Sequence, residues 1–202
     1  MSKQATVKGT VIWLTGLSGA GKTTLARGLA NQLEAAGLPV ETLDGDEVRE
    51  SLSRGLGFSK ADRDTNVHRI GFVARLLARH GVTVIAPVIS PYRETRNDIR
   101  RLVEQDGAEF VEVFVRCDLP TLIERDVKGL YKKAIAGEVK NFTGISDPYE
   151  EPLTPEILVD TVAESIDESE AHILEKLFEF GLFESAAGQL SNLAVAEQLA
   201  AQ

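Results

Sequence analysis

Cysteine is almost missing from this chain. Cys117 stands alone, so an internal disulfide is excluded, and the composition suits a reducing compartment. Its place in the apolar run FVEVFVRC marks it as a core or strand-end residue rather than a nucleophile. Long hydrophobic runs are missing too. No segment approaches a membrane span, and the opening MSKQATVKGTVIW has no apolar stretch of the signal-peptide kind, so a cytoplasmic protein is expected. Basic residues are outnumbered, 22 Lys and Arg against 31 Asp and Glu, for a formal net charge of -9. That balance argues against a general nucleic-acid or anionic membrane surface, and any anion must be bound locally. The three histidines, His68, His80 and His172, lack metal-ligand spacing and read as ordinary surface or helix residues. There is no internal repeat and no low-complexity block.

What is present is an alternation of strands and helices. With 202 residues, 43% of them apolar, one packed domain is expected. The apolar, β-branched runs TVIWLTG, PVETLDG, VTVIAPV, AEFVEVFV and the short EILVDT read as strands. Between them, residues 22–36, 61–79, 93–104 and 119–136 have helical period, and a further amphipathic helix is expected over 162–180. Stop signals fall at Gly37-Leu38-Pro39, His80-Gly81 and Asp106-Gly107. The pattern is α/β, a parallel five-stranded sheet covered by helices on both faces in three layers. Residues 1–180 form the domain, with a lid over about 128–155, and 181–202 form a carboxyl-terminal extension of unknown role. Within the lid, the stretch from Gly137 to Pro155 is rich in Gly, Asn, Pro and acidic residues, as in a long ordered loop.

In such sheets ligands sit at the carboxyl ends of the strands. After the first strand comes GLSGAGKTT, residues 16–24, which fits the phosphate-loop pattern with a strand before it and a helix starting at Lys22. The backbone N–H groups of Gly19 to Thr24 and the positive end of the helix would hold phosphates. Lys22 would reach the β and γ oxygens, and the Thr23 hydroxyl would ligate Mg2+. A loop of this kind on a parallel sheet is the pattern of the P-loop NTPases, the P-loop kinase fold among them. After the second strand, Asp44 and Asp46 face the same crevice, where a carboxylate can hold magnesium through water or accept the proton of an incoming hydroxyl. Asp46 also suits a helix N-cap before EVRESL. After the third strand, Ser90-Pro91 is a standard helix start, with Ser90 as N-cap or in contact with substrate, and no base is visible to activate its hydroxyl.

Two clusters run against the acidic composition. RESLSRGLGFSKADRDTN gathers Arg49, Arg54, Arg63, Phe58 and Asn66, a set suited to a planar ring that carries an anion, although Phe58 could equally plug the core. RDVKGLYKKAIAGEVKNFTG adds Arg125, Lys128, Lys132, Lys133, Lys140 and Phe142 just at the lid. Basic residues near a lid can cover developing charge, while Lys132 and Lys133 read as solvated helix lysines.

Taken together, GLSGAGKTT, LDGDEVR, LGFSKADRDTNVHRIG, ISPYRETR, RDVKGLYKKA and GEVKNFTGISDPYE resemble the adenylyl-sulfate kinase family from about Thr10 to Asp160. The resemblance implies ATP-dependent phosphorylation of the 3′-hydroxyl of adenosine 5′-phosphosulfate (APS), giving 3′-phosphoadenylyl sulfate (PAPS) and ADP. On the nucleotide side it implies Gly16, Ser18, Gly19, Ala20, Gly21, Lys22, Thr23, Thr24 and Arg125, with Mg2+ at Thr23 and Asp44. On the APS side it implies Asp46, Arg49, Phe58, Arg63, Asn66, Ile89, Ser90, Lys128, Asn141 and Phe142, the two phenylalanines sandwiching adenine. Lys22, Asp46 and Ser90 are the candidate catalytic residues, and direct in-line transfer is preferred to a phosphoserine intermediate. A homodimer and a separate ATP sulfurylase are further expectations. Asn141 stands where the family has glycine, a position that asparagine tolerates at positive φ. Rival readings are a kinase for another small acceptor, which has little need for two aromatics, and a nucleotide switch. No N-K-x-D run supports a GTPase.

Overall fold

The computed structural model describes residues 9–183; the carboxyl-terminal extension from 184 onward lies outside the described residues. Five parallel strands, β1 (Thr10–Thr15), β2 (Val40–Thr42), β3 (Thr83–Pro87), β4 (Glu109–Arg116) and β5 (Ile157–Asp160), form one sheet in the order β2-β3-β1-β4-β5. β1 lies at the centre because both edges are paired, Val11 standing level with Val84 on one side and Phe110 on the other. All six of its residues are buried, as a near-continuous apolar run in a parallel sheet requires.

Side-chain alternation along β1 divides the core between two faces. Ile12 and Leu14 pack with Leu25, Leu29, Ile173 and Leu177, from α1 (Lys22–Ala35) and α7 (Ile166–Glu179). Val11 and Trp13 pack with Ile70, Ala74, Ile99 and Val103, from α3 (Lys60–Ala78) and α4 (Arg93–Gln105). Leu29 is completely buried, and its truncation to alanine should cost about 2–5 kcal/mol. The glycine stop signals hold, since Gly37, Gly81 and Gly107 all take positive φ just past a helix end.

The structure departs from the sequence reading in three places. The helix expected over 119–136 is broken into α5 (Leu119–Arg125) and α6 (Leu130–Ile135). Asp126, at φ 27, turns the chain and accepts the Tyr131 and Lys132 amide protons, so a side-chain cap outcompetes the continuous periodicity. α7 starts at Ile166, behind a capping box made by Ser165 and Glu168. A short α2 (Gly45–Ser51) follows β2, and its N-cap is Asp44, whose side chain accepts from the Asp46 amide. Asp46 is therefore not the cap.

Candidate active site

The chain winds β1, β2 and β3 toward one edge of the sheet and returns past β1 to lay down β4 and β5. A crevice at the carboxyl end of β1 follows from this change of direction. Gly16 opens the loop there at φ 153, and a Cβ in its place would stand 2.4 Å from the Val115 carbonyl oxygen, so only glycine lets the loop pass β4 this closely. Gly19 and Gly21 are left-handed, which turns successive N–H groups inward as an anion nest before α1. Thr23 and Thr24 are exposed in the first turn of α1, with Ser18 and Ala20 in the loop itself. The Lys22 ammonium is buried and donates to the Gly16 and Leu17 carbonyls at 2.9 and 2.7 Å. Burial, and then the positive charge of Lys128, push it down to about 7, with Asp46 pulling the other way. Lys22, Lys128 and Asp46 thus share one crevice.

Asp44 caps α2 through Oδ1 alone, while the Asp46 carboxylate projects outward and accepts from Lys128 Nζ at 2.8 Å. The break between α5 and α6 is what carries Lys128 to this position. Arg125, at the end of α5, donates to the Thr161 carbonyl at 2.8 Å, and Thr161 Oγ1 donates to the Ala20 carbonyl at 3.1 Å. Arg125 and Lys128 line one cleft with Ser18, Gly19 and Tyr131.

Phe58 is not a core plug, for it is 56% exposed. The Arg49 guanidinium lies 4.6 Å from its ring centroid and that of Arg63 5.8 Å. Burial and the neighbouring Arg63 charge lower Arg49 from its ordinary value. Two guanidinium groups thus pack against one ring in an otherwise acidic chain. Arg63 is buried and reaches across to the lid, donating to Thr143 Oγ1 at 2.7 Å and to the Asn141 carbonyl. Asn141 takes φ 54, the left-handed geometry expected of it. Phe142 is half-buried and edge-on to Tyr131, with ring centroids 5.0 Å apart. Asn66 is buried on α3, and its Oδ1 has no hydrogen-bond partner among the described residues; a ligand donor or a water would satisfy it.

Ser90 is no helix cap. α4 begins at Arg93, and its N-terminal amide is met by Glu150 Oε2 at 2.9 Å. Ser90 instead takes φ 39 and is 2% exposed. Its hydroxyl accepts from Trp13 Nε1 at 3.0 Å and donates to Thr15 Oγ1 at 3.1 Å. The carbonyl of Ile89 accepts from Thr15 Oγ1 at 2.8 Å. Sequence reasoning missed Thr15, Tyr131 and Tyr149. Tyr131 donates from its hydroxyl to the Ser18 carbonyl at 2.8 Å, and Tyr149 OH lies 3.0 Å from Thr15 Oγ1. The tyrosines stood inside the motifs RDVKGLYKKA and GISDPYE, but nothing in their spacing said which backbone they would meet.

Another groove, about 560 Å3, lies against α3 and is lined by Leu52, Phe72 and Val73 together with Asp64, His68 and Arg69. No residue of the phosphate loop lines it, so it is not the reaction site.

Fold and crevice together define a phosphate-loop enzyme of phosphoryl transfer, with an aromatic and basic cluster at Phe58, Arg49 and Arg63. The chain belongs to the adenylylsulphate kinase family, whose profile matches residues 8–160, and it is accordingly a kinase. It is 56% identical over 179 residues to the adenylyl-sulfate kinase of Myxococcus xanthus, covering 89% of this chain and 96% of that one. It is 58% identical over 175 residues to a probable bifunctional SAT/APS kinase of Sorangium cellulosum, covering 87% of this chain but 29% of that protein. Among solved structures it is similar to the Mycobacterium tuberculosis APS kinase CysC in complex with AMPPNP and APS. There the TM-score is 0.81 at 42% identity, with 84% of this chain and 98% of that one covered.

Proposed function

We propose that this protein transfers the γ-phosphoryl group of ATP to the 3′-hydroxyl of APS, yielding PAPS and ADP, the second step of sulfate activation. The observation that carries the reading is the meeting of Lys22, Lys128 and Asp46 in one crevice beside the Phe58, Arg49 and Arg63 cluster. A phosphate donor and a planar, anionic acceptor can be held there side by side.

In this reading the loop N–H groups and Lys22 hold the donor phosphates, and Arg125 lies on the nucleotide side. The Thr23 hydroxyl, exposed in the first turn of α1, and the Asp44 carboxylate are oxygen donors of the hard type that Mg2+ prefers, and they would hold it. When bound, the ion neutralises charge on the phosphates. Asp46 takes the proton of the 3′-hydroxyl, and Lys128 leaves its carboxylate to balance charge on the group in flight. Phe58 and Phe142 flank the adenine, while Arg49, Arg63 and Asn66 receive the phosphosulfate. Ile89, Ser90 and Asn141 shape the wall. The Ser90 hydroxyl is buried with both Trp13 and Thr15 as partners, which supports direct, in-line transfer over a phosphoserine intermediate.

No helix among the described residues is long and apolar enough to cross a membrane. We place the enzyme in the cytoplasm as a homodimer, supplied with APS by a separate ATP sulfurylase. Light scattering tests the dimer. Transfer of labelled phosphate from Mg-ATP, with APS as the acceptor, tests the reaction.

A further inference from the structure

Arg96, on the second turn of α4, is 2% exposed. It faces Glu112 of β4, itself buried, with Nε 2.6 Å from Oε1. An arginine whose task was only to neutralise a buried carboxylate would present two parallel N–H groups to it. Here the guanidinium divides its donors. One terminal nitrogen donates to the Ser90 carbonyl at 2.6 Å and the other to the Glu150 carbonyl at 2.7 Å. Ser90 holds φ 39, a geometry that a residue with a Cβ keeps only when its surroundings fix it. The fixing groups are Arg96 on its carbonyl and Trp13 and Thr15 on its hydroxyl.

Donor counting extends the chain. Thr15 gives its one hydroxyl proton to the Ile89 carbonyl, so Tyr149, 3.0 Å away, must donate to Thr15. The Tyr149 ring lies 5.9 Å from the Arg96 guanidinium carbon. The buried cation therefore joins the Ile89-Ser90 turn directly to the strap around 147–150, and the end of β1 is tied to both through Ser90 and Tyr149. The strap in turn holds Tyr92 through Asp147 at 2.8 Å and lies 3.6 Å from Arg63.

We propose that Arg96 is a positioning residue for the acceptor substrate, holding the Ile89-Ser90 turn and the strap as one rigid wall. The inference rests on the function proposed above. It separates acceptor from donor, because Arg96 bonds directly to Glu112, Ser90 and Glu150, none of which belongs to the phosphate loop.

The test is steady-state kinetics with APS and Mg-ATP varied in turn, on wild-type protein, Arg96→Met and Glu112→Gln. Glu112→Gln leaves both carbonyl bonds of Arg96 in place and is expected to lower the melting temperature with KM values near wild type. Arg96→Met is expected to raise the KM for APS about tenfold or more while the KM for ATP stays within about twofold, a displaced wall being costly in this way. If Arg96→Met does not fold, Arg96→Lys carries the test, since one ammonium cannot span Glu112 and two carbonyls, and the same split is expected. Unchanged KM for APS in the arginine variant, or both KM values moving in equal proportion, overturns the inference alone. Wild-type protein with no APS-dependent transfer overturns the proposed function instead, and the inference with it.

Discussion

Lys128 and Asp46 lie 82 positions apart in the chain and 2.8 Å apart in space, the ammonium donating to the carboxylate. Both side chains are largely exposed, at 57% and 81%, so the pair contributes little to stability. Asp46→Asn should leave the melting temperature unchanged and lower kcat by about 10²- to 10⁴-fold, the range for loss of a positioned base. Thermal melts beside single-turnover transfer check this, and a large fall in melting temperature would assign Asp46 to the scaffold.

Phe58→Ala and Phe142→Ala should both weaken APS binding more than ATP binding. Stacking of a base on an aromatic ring is worth about 1–3 kcal/mol, or roughly five- to more than a hundredfold in affinity. The half-buried Phe142, which rests on Tyr131, should lower the melting temperature as well, whereas the exposed Phe58 should not. Calorimetric titration with each ligand reads the difference, and equal loss of both ligands would contradict the stacking assignment.

Burial holds Lys22 at about 7, against about 10.4 for a free lysine. Between these values the unfolded chain binds more protons than the folded one, so this lysine's penalty on folding shrinks as pH rises from 7 to 10. Phosphate oxygens in the loop would restore the charge. Nucleotide binding should therefore take up close to one proton at pH 8–9 and progressively less as pH falls below about 7. Calorimetry in buffers of different ionisation enthalpy measures this uptake, and Lys22→Ala should abolish both the uptake and transfer.

Asn141 sits at φ 54 with its carbonyl bound by Arg63. Asn141→Gly should keep the melting temperature, whereas Asn141→Ala should cost about 1 kcal/mol, as expected for a Cβ in left-handed geometry. Equal melting of the two variants would show that backbone conformation is not what selects asparagine here.

Much of this was legible in the sequence. Strand positions followed from apolar, β-branched runs, because a sheet buried on both faces admits little else at its centre, as the six buried residues of β1 illustrate. The phosphate loop was readable from its glycines, since the close approach of Gly16 to Val115 leaves no alternative side chain. Side-chain competition for backbone was harder to read. Asp44 and Asp46 are the same residue type two positions apart, and only the turn geometry after β2 decides which of them caps α2. Asp126 looked like one more polar residue on a helix face, yet its capping of α6 breaks the helix and delivers Lys128 to the crevice. Ser90-Pro91 carried a sound local helix-start signal that lost to side-chain bonds from Trp13, 77 positions away, and from Arg96, six positions on, neither of which a capping pattern weighs.

The most direct test of the proposed function is transfer of γ-labelled phosphate from Mg-ATP, run with APS, gluconate, shikimate or no acceptor. Label in 3′-phosphoadenylyl sulfate, and only when APS is present, is the predicted result. Label released as free phosphate regardless of acceptor would contradict the account and leave the Phe58 and Arg49 pair without a substrate.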